Sequence, residues 1–373
     1  MKKIGLSIIV SDRHEELDRA IQSAEGLYDY LSITLVHAKG LDLKQTEEVA
    51  RKYNAIISHY HTDEKWKHSF IDDFGAARNI AWQGLPEDCT WVFLMDSDDI
   101  LKDPKDARKM ILKYEPNFVI FVRINNLLAH GSFLQQRIWM RGTARFKDRI
   151  HETLVYNKKL IKDYVETKIV IVHDSKTQED SGKRNFIILK DVVGNGQASN
   201  RILFHYYEKV YIQEIKKERA LSTRMRKAIK QFSLLTKKKD VSPQQRFRCH
   251  YFMADFYSMK AREEKGTFES AIAHIMECLK IEIDKADPYF LMGRLLYASG
   301  RFQESILWLN IAIGLPNHLT YWHDIKEFRT SMPHAQLALC YKALNKPKEA
   351  VQHHALARAY DKKFEKYDGT YFR

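Results

Sequence analysis

The stretch 91–101 constrains the fold of this 373-residue chain more than any other part. It begins with five apolar residues in a row, without helical spacing, which is typical of a strand buried on both faces of a parallel sheet. The run ends in three carboxylates within four positions, Asp96, Asp98 and Asp99. Because ligands of open α/β sheets bind beyond the carboxyl ends of the strands, we predict a binding site there.

The three carboxylates would repel one another unless a cation neutralised them. Mg²⁺ and similar hard cations take oxygen ligands and share their open positions with substrate phosphates. The cluster therefore favours a site for a divalent cation and a diphosphate. A second interpretation stays open, in which the acidic residues simply precede a helix, because Asp103 and Pro104 are typical of a helix N-terminus.

The first 180 residues alternate between strand and helix patterns. Apolar runs predict strands over 4–10, 31–36, 55–58, 91–95, 118–124, 134–140 and 169–172. Apolar residues at helical spacing predict helices over 15–24, 43–53 and 70–82. This alternation with short connections predicts a doubly wound α/β mixed sheet over residues 1–182.

Length and composition predict a globular protein of two domains, since 373 residues are many for one core and 45% of them are hydrophobic. No apolar stretch approaches the length of a membrane span, and the first residues lead into a strand pattern rather than a signal peptide. The four cysteines are scattered without the pairing of a metal site. They are typical of reduced thiols, so we predict a cytoplasmic protein.

The second half of the chain is predicted to be almost entirely helical. Small residues recur at the spacing of tetratricopeptide repeats, at Ala271, Ile275 and Cys278, at Gly293, Gly300, Ser305, Leu309 and Ala312, and at Ala338, Asn345, Ala350 and Ala357. An insertion is expected over 321–328. We predict tetratricopeptide-like helical repeats over 244–373, in which stacked helix pairs bury one core, with an irregular helical bundle as the alternative.

Residues 183–243 are predicted to form a basic helical linker. The net charge is +13, and residues 201–250 carry 14 Lys and Arg against 4 Asp and Glu. The basic residues of 216–239 are expected on one long helix. They either form a solvated face or contact an anionic partner such as nucleic acid, a polyanionic glycan or lipid headgroups.

Five sequence elements carry a resemblance to a known family. They are Leu-Ser-Ile-Ile-Val-Ser at 6–11, Asp-Phe-Gly-Ala-Ala-Arg-Asn at 73–79, Met-Asp-Ser-Asp-Asp at 95–99, Arg-Ile-His-Glu at 149–152, and Ile-Val-His at 171–173 followed by Gly-Lys-Arg-Asn at 182–185. In this order, and followed by the repeats, they resemble the family-2 glycosyltransferases with a nucleotide-sugar-binding GT-A fold and C-terminal tetratricopeptide repeats. The resemblance covers nearly the whole chain.

The resemblance implies a metal-dependent inverting glycosyltransferase. Its donor would be a nucleotide-diphosphate sugar, with a UDP-sugar as the expected one. Its acceptor would be a hydroxyl or other nucleophile on a large molecule, anionic or neutral, such as an envelope glycan, a peptide or a modified phage DNA base. The repeats could hold that acceptor or form a homodimer.

The resemblance also implies roles for individual residues. Asp96 and Asp98 would bind Mn²⁺ or Mg²⁺, with His173 completing the shell from another strand end. Arg78 would offer two donors to a phosphate, unless it is an exposed helix arginine. Glu152 would be the general base, unless it is a salt-bridged glutamate. His151 and Asp99 remain alternatives for the base.

The donor-binding residues depart in part from the family pattern. Ser97 lies between the metal ligands, and Asp42 matches the last acidic position after the second strand. His37 replaces the first acid, although an imidazole can still hydrogen-bond a nucleobase. Ser11 and Arg13 follow the first strand, where the family often has Lys-Asn-Glu. A second class of function therefore stays open, a non-catalytic repeat scaffold with a degenerate nucleotide-binding domain.

Overall fold

The computed structural model describes residues 1–126, 131–173, 178–217, 221–264, 266–316 and 326–361. The chain divides into two compact units. The first unit comprises Met1–Ile202, and the second takes up the described residues from Leu203 onward. The division therefore falls at 202, between the predicted boundaries at 182 and 243.

The first unit is built on a mixed eight-stranded sheet. The strands in chain order are β1 Ile4–Val10, β2 Tyr30–His37, β3 Ile56–His61, β4 Trp91–Asp96, β5 Asp99–Leu101, β6 Phe118–Asn126, β7 Gly131–Met140, β8 Ala144–Lys147, β9 Thr153–Tyr156 and β10 Asp163–His173. The order across the sheet is β3-β2-β1-β4-β7-β6-β10-β5, and β8 pairs with β9 in a separate ribbon.

Strands β1 to β4 are parallel, whereas β7 runs antiparallel to both β4 and β6. The prediction of a mixed α/β sheet is confirmed. The short strands β5, β8 and β9 were not predicted, because runs of three or four residues carry too little periodicity to stand out from loops.

Helices cover both faces of the sheet. They are α1 His14–Ser23, α2 Lys44–Lys52, α3 Phe74–Gln83 and α4 Pro104–Lys113, and a fifth helix, α5 Gln178–Gly194, follows β10. Residues Leu17 of α1, Ala50 of α2 and Ile111 of α4 join the core on one face of β1. Residues Ala77 and Ala81 of α3 pack with apolar residues of β1 and β2 on the other face.

Helix α3 begins later than predicted. The apolar pattern predicted a helix from residue 70, but the first helical residue is Phe74. Asp73 is the N-cap, since its side chain accepts a hydrogen bond from the backbone N–H of Ala76 at 2.8 Å. The cap outweighs the apolar residues before it, because it satisfies a backbone donor that the first turn leaves without a partner.

The chain changes direction across the sheet at β1. Strand β2 lies on one side of β1 and β4 on the other, and all three are parallel. The register pairs Ile9 near the end of β1 with Asp96 at the end of β4. The acidic residues therefore lie at the crevice where open sheets bind ligands.

The second unit is helical. Helix α6 Asn200–Lys216 enters it and is followed by α7 Thr223–Leu235, α8 Pro243–Glu263, α9 Glu269–Ile281, α10 Ala286–Ala298, α11 Phe302–Gly314, a 3₁₀ turn at Lys326–Arg329, α12 Ser331–Ala343 and α13 Pro347–Tyr360. The single long helix predicted over the basic residues is wrong, because α6 ends at Lys216 and Ser222 caps the start of α7. No helix in the described ranges is long and apolar enough to cross a membrane.

Three helical hairpins, α8–α9, α10–α11 and α12–α13, carry the predicted repeat positions. Gly300 and Asn345 lie at equivalent turns with positive φ, 75° and 58°. In the middle hairpin a Cβ on Gly293 would lie 2.6 Å from Leu309, so the absence of a side chain there lets α10 and α11 approach closely. The expected insertion at 321–328 lies largely outside the described residues.

Two of the hairpins contain the same partly buried histidine pair. His250 Nδ1 lies 3.1 Å from His274 Nδ1 in α8–α9, and His334 Nδ1 lies 3.0 Å from His353 Nδ1 in α12–α13. The pairs occupy equivalent places, since His274 and His353 each follow the repeat alanines, Ala271 and Ala350, by three positions. Burial, and then the partner histidine, lowers the pKa of His250 and of His334 to about 4.

These pairs predict a loss of stability in acid. A histidine of the unfolded chain takes up a proton near pH 6.5, whereas His250 and His334 resist protonation down to about pH 4. Within that window the unfolded chain binds more protons, so the free energy of unfolding should fall as the pH falls. The urea midpoint of the helical unit, followed by circular dichroism from pH 7 to pH 4, measures the loss.

The substitution His353→Gln should reduce this pH dependence by removing one titrating group. The control His354→Gln makes the same change at the next position of α13 and should leave the slope as in the wild type. A slope that is equal in wild type and His353→Gln would show that the pair does not titrate as the packing implies.

Candidate active site

A cavity of about 360 Å³ opens at the carboxyl ends of β1 and β4. It is lined by Ile9, Val10, Ser11, Asp12, Arg13, Val36, Ser69, Phe70, Ile71, Phe74, Arg78, Asp96, Ser97, Asp98, His173 and Arg184. Six of the predicted binding residues therefore come together in one place, Ser11, Arg13, Arg78, Asp96, Ser97 and Asp98, and His173 joins them. Its volume is within the ordinary range for a small-molecule site.

Two buried arginines neutralise the first carboxylate of the cluster. Arg78 Nη2 donates to Asp96 Oδ1 at 2.7 Å, and Arg137 Nη2 donates to Asp96 Oδ2 at 2.8 Å. Burial would by itself raise the pKa of Asp96, but the charges of Arg137 and Arg78 outweigh it and lower that pKa. Asp96 is therefore ionised, with one arginine on each oxygen.

The third carboxylate, Asp99, anchors the acidic turn. Its side chain is fully buried, and Oδ2 accepts a hydrogen bond from the backbone N–H of Asp96 at 2.9 Å. Its Oδ1 lies 2.9 Å from His173 Nδ1, because β5 and β10 place the two residues directly opposite each other. Both oxygens of Asp99 are thus used within the protein, which leaves it unable to reach a substrate.

Asp98 faces the cavity, and among the described residues no hydrogen-bond donor lies close to its carboxylate. Its nearest cations are His173 Nδ1 at 3.7 Å and Arg13 Nη1 at 4.0 Å. Burial raises the pKa of Asp98, and the neighbouring Asp96 and Asp99 raise it further. A divalent cation would reverse this penalty, because it replaces the missing water with positive charge.

The donor set fits a divalent cation. Ligand atoms of Asp96, Asp99 and His173 lie within 4.8 Å of one another. Among the described residues, these three form the group of potential metal ligands that lies this close together. The predicted ligands were Asp96, Asp98 and His173. The observed group contains Asp99 instead of Asp98. We assign Asp99 to orienting His173 instead, since metal-bound histidines commonly donate their other ring N–H to a carboxylate.

His173 carries a positive charge at neutral pH in the cation-free protein. The hydrogen bond to Asp99 raises its pKa to about 9, against the opposing effect of burial, and the charge of Asp98 contributes. Coordination through Nε2 would require loss of that proton. Cation binding through His173 should therefore release protons.

Arg78 and Glu152 form one network with Asp96. Arg78 Nε lies 2.9 Å from Glu152 Oε1, while Nη2 of the same side chain holds Asp96. Arg78 lines the cavity, and its Nη2 donates to Asp96, so a role for Arg78 as a phosphate ligand stays a prediction. It is not an exposed helix arginine, because only 8% of the residue is accessible. Glu152 lies behind Arg78 and not on the cavity lining.

The other predicted residues lie outside the cavity lining. His151 adopts a positive φ of 50°, and its carbonyl accepts a hydrogen bond from Arg201 Nε. His37 Nε2 lies 2.9 Å from His59 Nδ1 at the far edge of the sheet. Asp42 accepts a hydrogen bond from the backbone N–H of Lys44, which places it at the start of α2.

Sequence reasoning missed two arginines of the site. Arg137 on β7 is buried and lies between Asp96 and Asp99. Arg184 on α5 lines the cavity and lies over the ring of Phe74 at 4.9 Å. Arginines inside an apolar strand and next to a lysine on a helix look like surface residues in a sequence, so only their burial identifies them.

The comparisons with known proteins give structural likenesses only. No protein-family model matches the chain, and no curated protein matches it. A thermophilic tetratricopeptide-repeat protein of Thermus thermophilus, TTC0263, is similar at 13% identity over 49% of this chain and 85% of that chain, with a TM-score of 0.37. MamA is similar at 14% identity over 50% and 91%, with a TM-score of 0.35. A MamA of Desulfovibrio magneticus RS-1 is similar at 13% identity over 50% of this chain and 89% of that chain, with a TM-score of 0.34.

The assignment to the family-2 glycosyltransferases is wrong on these comparisons. No family model matches the chain, so none recognises the five elements that suggested it. The misleading signal was a set of short motifs. Acidic triplets after a strand and Arg-Asn on the preceding helix recur wherever a sheet buries a charge network, and here they form one around Asp96.

Removing Arg137 should destabilise the first unit. The substitution Arg137→Met would leave Asp96 and Asp99 with an uncompensated buried charge, at a cost of roughly 3–5 kcal/mol in the free energy of unfolding. The exposed Arg145→Met on β8 is the matched control and should cost less than ~1 kcal/mol. Urea unfolding followed by tryptophan fluorescence measures both. Similar losses for the two variants would rule out Arg137 as the neutralising group.

Proposed function

We propose that this chain transfers a sugar from a nucleotide-diphosphate donor to a larger acceptor, in a metal-dependent, inverting reaction. The observation that carries the proposal is the composition of the cavity. Asp98 lies in the same 360 Å³ space as Arg13 and Arg184, and among the described residues its near cations are only His173 at 3.7 Å and Arg13 at 4.0 Å. A cation and a diphosphate together would satisfy both charges.

Asp98 and Asp96 would hold the cation, Mn²⁺ or Mg²⁺, with His173 as the third ligand. Bound there, the cation would stabilise the negative charge that develops on the leaving diphosphate. Arg137 and Arg78 contribute by keeping Asp96 ionised. Asp99 contributes by fixing the turn and the ring of His173.

Arg184 is the residue best placed for the diphosphate. Burial lowers its pKa, and the nearby charge of Arg13 lowers it further, so an anion beside it would be stabilising. Within the described part of the chain Arg184 forms no ion pair, although its Nε donates to Asn185. A partly buried arginine that lines a cavity without forming an ion pair is typical of a phosphate ligand.

Glu152 is our proposed general base. An inverting displacement needs a carboxylate that takes the proton of the acceptor as the new bond forms. Asp99 is excluded from this role by its burial, and Asp96 by its two arginines. Glu152 retains an accessible part of its side chain, 13%, and the pairing with Arg78 keeps it in place.

The donor nucleotide is expected to be UDP. In a doubly wound sheet it would bind at the carboxyl ends of β1 and β4. Its recognition would then fall to the lining residues Val10, Ser11 and Val36 rather than to His37 and Asp42. The acceptor is expected to be a large molecule, either anionic or neutral. Part of the basic charge of α7 is already neutralised, since Arg224 lies 3.1 Å from Glu214. The helical repeats remain the proposed surface for an acceptor or a homodimer, and a cytoplasmic location stays a prediction.

One observation favours a second function, a non-catalytic nucleotide-binding scaffold. Glu152 is ion-paired with Arg78 and does not line the cavity, so its proton-accepting oxygen is not presented to a ligand. The scaffold would still bind a nucleotide diphosphate through Asp98 and Arg184. Turnover therefore separates the two functions, whereas binding does not.

The substitution Asp98→Asn tests the cation site. It keeps the shape of the side chain and removes its charge, so Mn²⁺-dependent binding of UDP should be lost. Isothermal titration with UDP and UDP-sugars, with and without Mn²⁺, measures this. Asp106→Asn on the exposed part of α4 is the control and should bind as the wild type does. Unchanged Mn²⁺-dependent affinity in Asp98→Asn would refute the assignment.

The substitution Glu152→Gln tests the base. Turnover, measured as release of UDP from the donor, should fall roughly 10²–10⁴-fold, while affinity for the donor stays nearly unchanged. The exposed Glu115→Gln, which loses only a surface pair with Lys2, is the control. Full turnover in Glu152→Gln would show that another residue is the general base. Absence of turnover in the wild type with every UDP-sugar tried would favour the scaffold.

A further inference from the structure

Three histidines meet at the edge of the sheet, away from the cavity lining. His37 ends β2, and His59 and His61 lie near the end of the edge strand β3. The register pairs His37 directly with His61, and His59 lies two residues before His61 on the same strand. Because side chains of a strand alternate with a period of two, all three point to one face of the sheet.

The rings are already in contact. His37 Nε2 lies 2.9 Å from His59 Nδ1, and the ring centroids are 5.1 Å apart. The rings of His37 and His61 are stacked, with centroids 4.3 Å apart. His59 and His61 have the largest separation, 6.5 Å between centroids. The three imidazoles are thus next to one another on the sheet, although their nitrogens do not yet converge on one point.

We propose that His37, His59 and His61 bind a transition-metal ion of the zinc class, with water in the remaining position. Imidazole nitrogens suit Zn²⁺, Cu²⁺ and Ni²⁺, and three of them leave a tetrahedral ion with one open site. The proposal goes beyond the sugar-transfer site and does not depend on it. That site offers mainly carboxylate oxygens, which suit Mg²⁺ and Mn²⁺.

The backbone holds the three residues ready for such an ion. Six consecutive residue pairs join β2 to β3, and the N–H of Thr62 donates to the carbonyl of His37 at 3.0 Å just beyond the strand end. Only the rings must turn for all three to reach one centre. His59 and His61 are exposed, so nothing in the core resists that rotation.

The electrostatics of the histidine cluster also favour binding of a metal ion over protonation of His37. Burial lowers the pKa of His37, and the charges of His61 and His59 lower it further. Protonation of His37 is thus opposed by its neighbours, whereas one metal ion could be bound by all three rings. The nearby Glu47 raises the pKa of His37 but is itself ion-paired with Arg51, so we assign the fourth position to water.

A bound ion would link the edge strand to the rest of the sheet. Within the described sheet β3 is an outer strand, with β2 as its neighbour. An exposed edge presents unpaired backbone groups, and proteins commonly restrict such edges. A metal at this place would fix β3 to β2 and present one exchangeable ligand to solvent.

Co²⁺ titration of the untagged chain tests the proposal, because tetrahedral Co²⁺ with nitrogen ligands absorbs visible light strongly and octahedral Co²⁺ does not. The titration is carried out in the Asp98→Asn background with excess Mg²⁺, which removes the contribution of the acidic site. We expect strong absorption that Zn²⁺ displaces. Zn²⁺ should also protect His37, His59 and His61 from carbethoxylation in the wild-type chain, as mapped by mass spectrometry.

His61→Gln removes one ligand at an exposed position and should weaken Co²⁺ and Zn²⁺ binding by at least ~10–100-fold, the size seen when only an outer-shell partner is lost. His274→Gln, which alters a histidine pair in the helical unit, should bind as the wild type does. Weak octahedral absorption in the wild type, equal affinity in wild type and His61→Gln, or loss of binding in His274→Gln would each overturn the proposal. Circular dichroism confirms that the variants are folded.

Discussion

The neutralisation of Asp96 by two buried arginines is the interaction on which the first unit depends. Strand β4 runs through the centre of the sheet and ends in carboxylates that have little access to water. Arg78 reaches Asp96 from α3 and Arg137 reaches it from β7, so a helix on one face and an antiparallel neighbour are tied to the same side chain. Removing either partner would leave a buried charge uncompensated.

The same network divides the acidic cluster into separate roles. Asp99 is fully buried and fixes the turn, Asp96 is held by its arginines, and Asp98 is left facing the cavity with its charge opposed by its neighbours. The three carboxylates look equivalent in the sequence, but Asp99 stabilises the turn, Asp96 is ion-paired with arginines and Asp98 faces the cavity. In the proposed cation site Asp98 is the ligand that no arginine holds closely, and Asp96 can still contribute because each carboxylate oxygen has a second lone pair.

The histidines show how one residue type serves different ends in different surroundings. The hydrogen bond to Asp99 raises the pKa of His173, whereas burial beside a second histidine lowers that of His250 and His334. The cluster of His37, His59 and His61 lies on a strand edge, where the rings can turn toward a common ligand. The partner and the burial of each ring, rather than its place in the sequence, decide whether it holds a proton, resists one or is free to bind a metal.

The sequence by itself determined the strand and helix pattern of the first unit, the helical second half and the acidic residues at a strand end. These follow from local periodicity, which short-range packing enforces. The start of α3 at Asp73, the break before Ser222, the roles of Arg137 and Arg184, and the separation of His37 and Asp42 from the cavity were decided only by tertiary structure. The physical reason is that burial and ion pairing join residues distant in the chain, such as Arg137 and Asp96, and no local pattern records which carboxylate an arginine will meet.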